Sequence, residues 1–544
     1  MLRLRNRLLL ATLAFLGFAS CGTLRVERLR ADVCVYGATS AGVIAAIQAC
    51  QQGQTVLLLD CDGWVGGLTT SGLGATDVGN ARAIGGLARE FYRRLRRHYD
   101  RPEAWSRETR EAFRGRGQRE TEDAVWTFEP SVAQATLAAM LAENGVSAIP
   151  FRLAERRGVL KDGRRIVAIS DRNGRSVEAR CFLDCSYEGD LLAAAGCAFH
   201  VGRESNSEHG ETLNGVQTKN ATKHQFVGPV DPYVIAGDPG SGLLPGIDPD
   251  GPGDEGGADG RVQAYCFRIC ATDDPDNRVP WPKPAGYDAA EYELLLRHFE
   301  AGAKVAPWHP VWMPNRKTDS NNNRAVSSDW IGRNYDYPTA DYETRAAIVA
   351  AHRRYQQGLY WTLANDPRVP ESIRAEFNRF GLARDEFADR GNWPPLIYVR
   401  EARRLVGAAT VTEANCMSRV VAADPVGMAS YTMDSHNVQR HVDGDGHVRN
   451  EGDVQVRVPR PWGVPFGALL PQHKHADNLL VPVCVSASHI AFGSVRMEPV
   501  FMVLGQSAAV AAGLAIERDI AVQEIPYEEL ERRLLAAGQV LRLP

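Results

Sequence analysis

The stretch VYGATSAGVIAAIQACQQGQTVLLLD, residues 35–60, predicts a strand, a turn, a helix and a second strand. Its apolar residues Val43, Ile44 and Ile47 recur at helical spacing, and Gly53 is typical of a residue just beyond a helix end. The run TVLLLD that follows is typical of a buried strand in a parallel sheet. The stretch therefore predicts the β-α-β unit that opens a Rossmann-like α/β fold.

The turn GATSAG, residues 37–42, differs at one position from the dinucleotide fingerprint GxGxxG, because Thr39 stands in place of the second glycine. That glycine lets the backbone approach a pyrophosphate, and an acid about 20 residues later takes a ribose hydroxyl. A small residue still allows close approach, and the Thr39 hydroxyl can add a phosphate contact. The alternative is a purely structural turn. We expect a dinucleotide held by Gly37, Thr39, Ser40, Ala41, Gly42 and Asp60.

A long glycine-rich loop follows, GWVGGLTTSGLGATDVGN, residues 63–80. A nicotinamide-binding domain normally continues with another helix and strand, so this loop favours a flavin. Long ordered loops are usually functional, and this one can surround a pyrophosphate and a ring system with backbone amides. The residues expected at the cofactor are Gly66, Gly67, Leu68, Thr69 and Thr70.

At this point the sequence resembles FAD-dependent oxidoreductases with a glutathione-reductase-like fold. Similar blocks continue along the chain: FEPSVAQATLAAML from Phe128, RCFLDCSYEGDLLAAAGCAFHVGRES from Arg180, FRICATDDPDNRVPWPKP from Phe267 and YVREARRLVG from Tyr398. LLVPVCVSASHIAFGSVRMEPVFMVLGQSAAVAAGLA, residues 479–515, resembles the segment that closes the flavin site in this family. The resemblance implies FAD as cofactor and places Asp184, Gly493, Ser494 and Glu498 beside it.

The C-terminal block also has a physical rationale of its own. Pro499 suits the first turn of a helix, and the small residues that follow let that helix lie close to a sheet. Hydride arrival puts negative charge on the flavin N1 and C2 carbonyl, so a helix N-terminus stabilises the reduced form there. Arg496 would add a full positive charge. The alternative is that Arg496 and Glu498 form a structural ion pair that braces the loop.

His489, just before this segment, is the candidate base, because an imidazole can remove a hydroxyl proton while hydride leaves the adjacent carbon. The competing interpretation is that His489 only fixes the loop. Glu188 follows the predicted strand RCFLDC and can bind the cofactor or neighbouring backbone. Four charged residues in YVREARRLVG are candidates to bind an anionic substrate or, alternatively, to form structural salt bridges: Arg400, Glu401, Arg403 and Arg404.

We expect an α/β protein whose Rossmann-like FAD-binding domain is assembled from both chain ends around an inserted α+β substrate domain. The predicted boundaries are 31–201 and 396–525 for the FAD-binding parts, 202–395 for the insertion and 526–544 for a C-terminal helix. Helices are expected at 289–301 and 340–365. The tryptophans of the insertion suit stacking on sugar rings or, alternatively, core packing: Trp281, Trp308, Trp312, Trp330 and Trp361.

Residues 1–30 predict an export segment. MLRLRNR gives a positive start, and LLLATLAFLGFA is an apolar run shorter than the roughly 20 residues of a membrane span. Ser20 and Cys21 follow, so lipidation of Cys21, simple cleavage and an uncleaved anchor all stay open. The protein is therefore expected to be exported from a bacterial cytoplasm, as a periplasmic protein or a membrane-anchored lipoprotein.

Composition excludes several classes. The chain has 544 residues, 44% hydrophobic and 24% charged, with a formal net charge of -4, so nucleic acid is not expected as a partner. Eleven cysteines occur, but no spacing suggests zinc, no metal site is expected, and one or two disulfides stay open. The acidic loop 246–260 lacks the order of a calcium-binding EF-hand loop.

The sequence thus predicts an exported FAD-dependent oxidoreductase that transfers a hydride from a small organic substrate to flavin N5. A carbohydrate-derived substrate is favoured by export and aromatic content, and the electron acceptor is unknown because no second nucleotide fingerprint occurs. Two alternatives stay open. One is a flavin-dependent lyase or isomerase without net redox change, and the other is a non-catalytic surface binding protein.

Overall fold

The computed structural model describes residues 27–113, 115–118 and 121–543. Residues 1–26 of the predicted export segment, including Cys21, lie outside this range. The strands are β1 Arg28–Tyr36, β2 Val56–Asp60, β3 Ala148–Pro150, β4 Val159–Asp162, β5 Arg165–Ser170, β6 Ser176–Asp184, β7 Phe199–His200, β8 Ile269–Thr272, β9 Arg278–Val279, β10 Trp308–Met313, β11 Lys317–Asn322, β12 Gly381–Ala383, β13 Arg404–Leu405, β14 Pro425–Ala429, β15 Met433–Ser435, β16 Gln439–Val442, β17 Val448–Glu451, β18 Val454–Val456, β19 Trp462–Pro465 and β20 Leu479–Leu480.

The α-helices are α1 Ser40–Gln51, α2 Gly86–Tyr99, α3 Pro130–Glu143, α4 Asp190–Ala194, α5 Asn206–His209, α6 Glu293–Glu300, α7 Tyr342–Asn365, α8 Glu371–Arg379, α9 Glu413–Cys416, α10 His489–Val495, α11 Glu498–Arg518 and α12 Tyr527–Ala536. The helices expected in the insertion are present as α6, preceded by a 3-10 turn at Ala289–Tyr292, and α7. α12 lies in the predicted C-terminal helical segment.

The main sheet has the order β3-β2-β1-β6-β5-β4, with β20 also paired to β6. β1 is parallel to both β2 and β6, while β4 and β5 add antiparallel pairs at one edge. Because β1 is followed by β2 on one side and flanked by the much later β6 on the other, the sheet has a topological switch point at β1. Ligands of such folds bind outside the carboxyl ends of the strands at this point. The predicted Rossmann-like α/β fold is confirmed.

α11 lies directly against α1 because both helices carry small residues where they meet. A Cβ built on Gly505 would lie 2.4 Å from the Ala41 carbonyl oxygen, so only glycine allows this approach. Pro499 occupies the first turn, as predicted. By length and composition α11 is apolar enough to cross a membrane, but the protein buries its apolar part, as it would a core helix. The long C-terminal helix α11 thus packs on α1, the first helix of the described residues.

A second, antiparallel sheet lies between residues 269 and 383, in the order β10-β11-β8-β12-β9. Helices α6, α7 and α8 accompany this sheet within the same part of the chain. Trp281 and Trp308 belong to its core, being 7% and 3% exposed, which favours the packing interpretation for these two tryptophans. This α+β region interrupts the sequence between the two parts of the main sheet.

The cysteines and the acidic loop are the candidate groups in the sequence for disulfides and metal sites. The ten described cysteines are free, and the described residues contain no cluster of three or more His, Cys, Asp or Glu that could hold a metal ion. In the acidic loop, Arg261 pairs with Asp248 and Asp259, so arginine neutralises these carboxylates.

Candidate cofactor and active site

The turn between β1 and α1 lies against the end of β6. Thr39 is the N-cap of α1, and its Oγ1 accepts a hydrogen bond from Gly42 N at 3.3 Å and donates one to Cys185 O at 2.8 Å. Gly37 has φ of +99°, and a Cβ built there would lie 2.6 Å from Ser186 N. Thr39 thus stabilises the turn that glycine makes possible. Its predicted phosphate contact stays a prediction.

The glycine-rich loop crosses the first turn of α1. Gly67 has φ of +60°, and a Cβ built there would lie 2.2 Å from the Tyr187 hydroxyl and 3.2 Å from Ser40 N. The Tyr187 hydroxyl accepts a hydrogen bond from Leu68 N at 2.9 Å. Thr70 closes the loop locally, since its Oγ1 donates to Val65 O at 2.8 Å. The turn before α1, the glycine-rich loop and the residues after β6 are far apart in sequence, and all were predicted to surround a cofactor. They are in direct contact in the structure.

Glu498, the first residue of α11, joins the fourth segment to these three. Its carboxylate accepts hydrogen bonds from Ser40 Oγ at 2.6 Å, Thr69 Oγ1 at 2.9 Å and the Tyr187 hydroxyl at 2.7 Å. Burial raises the pKa of this carboxyl. Ser40 and Glu498 are the first residues of α1 and α11, so both helix N-termini lie at this group, and helix N-termini favour negative charge.

The alternative of an ion pair between Arg496 and Glu498 is wrong. Arg496 instead donates to the Tyr398 hydroxyl at 2.8 Å and to Asp434 Oδ2 at 3.0 Å. The partners of Glu498 are hydroxyl groups. The carboxylate that pairs with Arg496 is that of Asp434.

A cavity of about 520 Å³ opens at the carboxyl ends of the sheet strands. One side is lined by residues that follow β2, β3 and β6, namely Cys61, Asp62, Arg152, Tyr187, Glu188 and Asp190. The other side comes mainly from α7 and from residues 393–399. The volume is in the range of small-molecule sites. A larger groove of about 880 Å³ lies between the C-terminal part of α1, residues 81–93 and residues 536–540, and it shares no lining residue with this cavity.

The cavity carries unusual carboxyl groups. Burial, with the carboxylate of Glu188 nearby, raises the pKa of Asp62 to about 8, and burial also raises the pKa of Glu188. At Asp190 burial opposes ionisation, but Arg345 and Arg403 outweigh it and lower the pKa. Perturbed groups lining a cleft are typical of functional sites. Tyr187 lines the cavity and accepts a hydrogen bond from Leu68 of the glycine-rich loop, so the cavity borders the segments predicted to hold a dinucleotide.

Two acids predicted at the cofactor also have local roles. Asp60 Oδ1 accepts hydrogen bonds from the backbone N–H groups of Asp62, Gly63 and Trp64, at 3.1, 2.9 and 3.3 Å. Asp184 accepts from Ser186 N and Oγ and from Leu192 N, and burial raises its pKa to about 6. Both acids shape the loops that border the cavity. Their predicted cofactor contacts stay predictions.

His489 forms a hydrogen-bonded triad with Glu401 and Ser435. His489 Nδ1 lies 2.7 Å from Glu401 Oε2, and His489 Nε2 lies 2.9 Å from Ser435 Oγ. All three residues are buried, and His489 is not among the described residues that line the cavity. Sequence reasoning missed Ser435, which lies in a short strand with no motif around it. The geometry is that of a base oriented by a carboxylate.

Gly493 and Ser494 hold α10 against β15. A Cβ on Gly493 would lie 2.7 Å from Asp434 N, and Ser494 Oγ donates to Tyr431 O at 2.6 Å. This packing brings Asp434 to Arg496. The predicted contacts of Gly493 and Ser494 with the cofactor stay predictions.

The arginines of the segment 398–407 are held by carboxylates. Arg400 lies 2.8 Å from Asp329, Arg403 lies 2.8 Å from Asp190, and Arg404 lies 2.7 Å from Glu204. These pairs are buried, where an unpaired charge would be costly. They favour the structural interpretation of the three arginines over binding of an anionic substrate.

Comparison with known protein families matched residues 32–534 to a family described as FAD dependent oxidoreductase. No curated protein gave a significant match. The solved structures similar to this chain include the flavin-dependent brominase Bmp2 (19% identity over 32% of this chain and 42% of that chain, TM-score 0.22). They also include a flavin-containing monooxygenase from Stenotrophomonas maltophilia (16% identity over 35% of this chain and 45% of that chain, TM-score 0.19). A third is 3-ketosteroid-delta4-(5alpha)-dehydrogenase from Rhodococcus jostii RHA1 (18% identity over 32% of this chain and 50% of that chain, TM-score 0.19). The chain spans half or less of the length of each of these structures.

Proposed function

Because the chain belongs to the FAD dependent oxidoreductase family, we propose that it oxidises a small organic substrate by hydride transfer from a substrate carbon to flavin N5. The observation that carries this proposal is the meeting of four segments at Glu498. The turn at Ser40, the loop at Thr69, the end of β6 at Tyr187 and the start of α11 are hydrogen-bonded through one carboxylate.

The residues that would hold FAD are those of the glycine turn, residues 66–70 of the glycine-rich loop, and the side of the cavity formed by residues that follow β2, β3 and β6. When bound, FAD supplies the two-electron acceptor of the reaction. Gly37 and Gly67 let the end of β6, the glycine-rich loop and the start of α1 approach one another closely. The N-terminus of α1 favours the negative charge of a pyrophosphate. Arg496 and the N-terminus of α11 would favour the negative charge that reduction creates.

For the proton, we propose that His489 acts as base, with Glu401 and Ser435 in supporting roles. The hydrogen bond to Glu401 holds Nδ1 in its protonated tautomer, an assignment inferred from the hydrogen-bond partners. Nε2 is then left as the acceptor and faces the Ser435 hydroxyl. A substrate hydroxyl would release its proton through Ser435 to His489 while the hydride leaves the adjacent carbon.

We also propose that the protein is exported, as a periplasmic protein or as a lipoprotein anchored through Cys21. The charged start, the short apolar run and the cysteine that follows them support this location. The mass of the mature N-terminus, measured by mass spectrometry with and without the substitution Cys21→Ala, distinguishes lipidation, simple cleavage and retention of residues 1–26.

The test of the activity is an anaerobic visible spectrum of the purified mature protein before and after addition of sugars, polyols and hydroxy acids. We expect a flavin band, and bleaching of this band by one substrate class identifies the substrate. A flavin band that no substrate bleaches, together with chemical conversion of one of them, would instead indicate a lyase or isomerase. Absence of flavin after reconstitution with FAD would contradict the oxidoreductase proposal.

A further inference from the structure

Residues 387–396, named here the strap, extend from the inserted region to the glycine-rich loop. At one end, the Phe387 ring packs edge-on against Trp64 with ring centroids 6.0 Å apart. The guanidinium of Arg390 lies over the same Trp64 ring, 5.1 Å from its centroid, and Arg390 Nη2 donates to Gly63 O at 3.3 Å. Two side chains of the strap, those of Phe387 and Arg390, therefore contact the same loop residue, Trp64.

The other end of the strap is fixed to the same loop by a different contact. Leu396 N donates to Ser71 Oγ at 3.0 Å. Between the two ends, Trp393 is 1% exposed and packs on Phe267 with centroids 5.5 Å apart. Residues 393–397 and Arg390 line the cavity at the strand ends. The strap thus forms a cavity wall that is attached at both ends to the loop after β2.

The contacts that hold the strap differ in strength. Trp393 is a buried aromatic side chain, and such groups contribute several kcal/mol to packing (about 3–5 on truncation). Arg390 is exposed, and exposed cation–π contacts contribute much less, about 0.5–1 kcal/mol. Phe387, Gly391 and Asn392, on either side of Arg390, have φ of +50°, +68° and +59°. Such conformations are costly for residues other than glycine. Because Phe387 is itself buried against Trp64, the contact that is easiest to release is that of Arg390 with Trp64.

We propose that Arg390 and Trp64 form a clasp that gates the exchange of FAD with solvent. The cofactor enters and leaves the cavity when Arg390 releases Trp64, while Trp393 and the Leu396 end of the strap stay in place. This inference rests on FAD occupying the cavity, which belongs to the proposed function. A gate changes the barrier for entry and exit together, so weakening the clasp raises both rate constants and leaves the dissociation constant unchanged.

Arg390 lines the cavity but Trp64 does not, and this difference separates gating from direct contact with the cofactor. The variants are Arg390→Ala, Arg390→Lys and Trp64→Leu. The matched control is Arg379→Ala, because Arg379 lies over the Phe380 ring at 4.9 Å, a contact of the same kind in the inserted region outside the strap.

Association and dissociation of FAD are measured by flavin fluorescence in stopped flow, with the protein first freed of its cofactor. Arg390→Ala and Trp64→Leu are expected to raise both rate constants about 2- to 5-fold, with a dissociation constant within two-fold of the original. Arg390→Lys keeps a cation over the Trp64 ring, so its two rate constants are expected to lie between those of the unaltered protein and those of Arg390→Ala. The control is expected to match the unaltered protein.

Two results would overturn the clasp while leaving FAD binding intact. A rise in the dissociation rate alone, with weaker affinity, would show that Arg390 contacts the cofactor directly. Unchanged rates in both Arg390→Ala and Trp64→Leu would show that the strap does not limit exchange. Failure of the unaltered protein to bind FAD at all would overturn the cofactor assignment of the proposed function itself.

Discussion

Glu498 Oε2 accepts a hydrogen bond from Ser40 Oγ at 2.6 Å, which joins the first residue of α11 to the first residue of α1 across 458 positions of the chain. The bond lies where the two helix N-termini meet, so the carboxylate is stabilised from both sides. It also attaches the C-terminal part of the chain to the turn that begins the main sheet. The region predicted to hold FAD thus depends on a contact between the two ends of the chain.

Replacement of Glu498 tests this contact. Glu498→Ala leaves the hydroxyl groups of Ser40, Thr69 and Tyr187 without their acceptor and is expected to cost about 3 kcal/mol of unfolding free energy. Glu498→Gln keeps one acceptor oxygen and is expected to cost less than half as much. Thermal and denaturant unfolding measure the difference. Glu528→Ala, at an exposed site in α12, is the control. Equal stability of Glu498→Ala and this control would contradict the assigned role.

Gly67→Ala tests the close approach of the loop to Tyr187. The added methyl group would lie 2.2 Å from the Tyr187 hydroxyl, so the loop must move and FAD binding is expected to be lost. Gly163→Ala is the matched control, since Gly163 has φ of +57° and open space around the built Cβ. Backbone strain of about 1–2 kcal/mol is common to both variants. Flavin content after purification is the measurement, and equal loss in both variants would attribute the effect to strain alone.

Arg496→Gln is expected to lower the midpoint potential of the bound flavin. Removing a positive charge near the N-terminus of α11 destabilises the reduced form, and a loss of about 1.4 kcal/mol corresponds to about 30 mV for a two-electron couple. Dye equilibration under anaerobic conditions measures the shift. Arg518→Gln removes the same charge at the far end of the same helix and is expected to leave the potential unchanged. A shift of equal size in both variants would show a general charge effect.

Asp453→Asn is expected to flatten the dependence of stability on pH. Burial, with Asp434 and Asp329 nearby, raises the pKa of Asp453 to about 7 although His436 opposes the shift, and His224 lies 3.9 Å away. Between about pH 4 and 7 the folded state therefore binds more protons than the unfolded state, so stability falls as pH rises, by at most about 1.4 kcal/mol per pH unit.

Denaturant unfolding at a series of pH values compares the two proteins. The contribution is fully present below about pH 4 and is lost as the pH passes 7. Asparagine does not ionise, so the variant should lack this part of the decline. Parallel stability curves for the two proteins between pH 4 and 7 would show that Asp453 titrates alike in both states.

Much of the fold could be predicted because its signals are local. Helical spacing at Val43 and Ile47, the glycine turn before α1 and the small residues of α11 are properties of adjacent residues. The cofactor class also followed from contiguous blocks, and the family match confirmed it. The export segment and the domain boundaries stay predictions.

Most side-chain partners could not be predicted in the same way. Glu498 was expected at the cofactor or paired with Arg496, but it binds three hydroxyl groups from three separate segments. Ser435 had no sequence signal, yet it completes the hydrogen bonds of His489. A buried carboxylate or imidazole must find a partner, but the sequence does not say which segment brings that partner close.

The sequence by itself determined the Rossmann-like fold, the FAD family and the elements that flank the glycine turn, because periodicity and backbone freedom act over a few residues. Only the tertiary structure decided the partners of Glu498, the Ser435–His489–Glu401 triad and the clasp of Arg390 on Trp64. Those contacts join residues far apart in the chain, and their geometry depends on how the two sheets and the strap pack together rather than on any local preference.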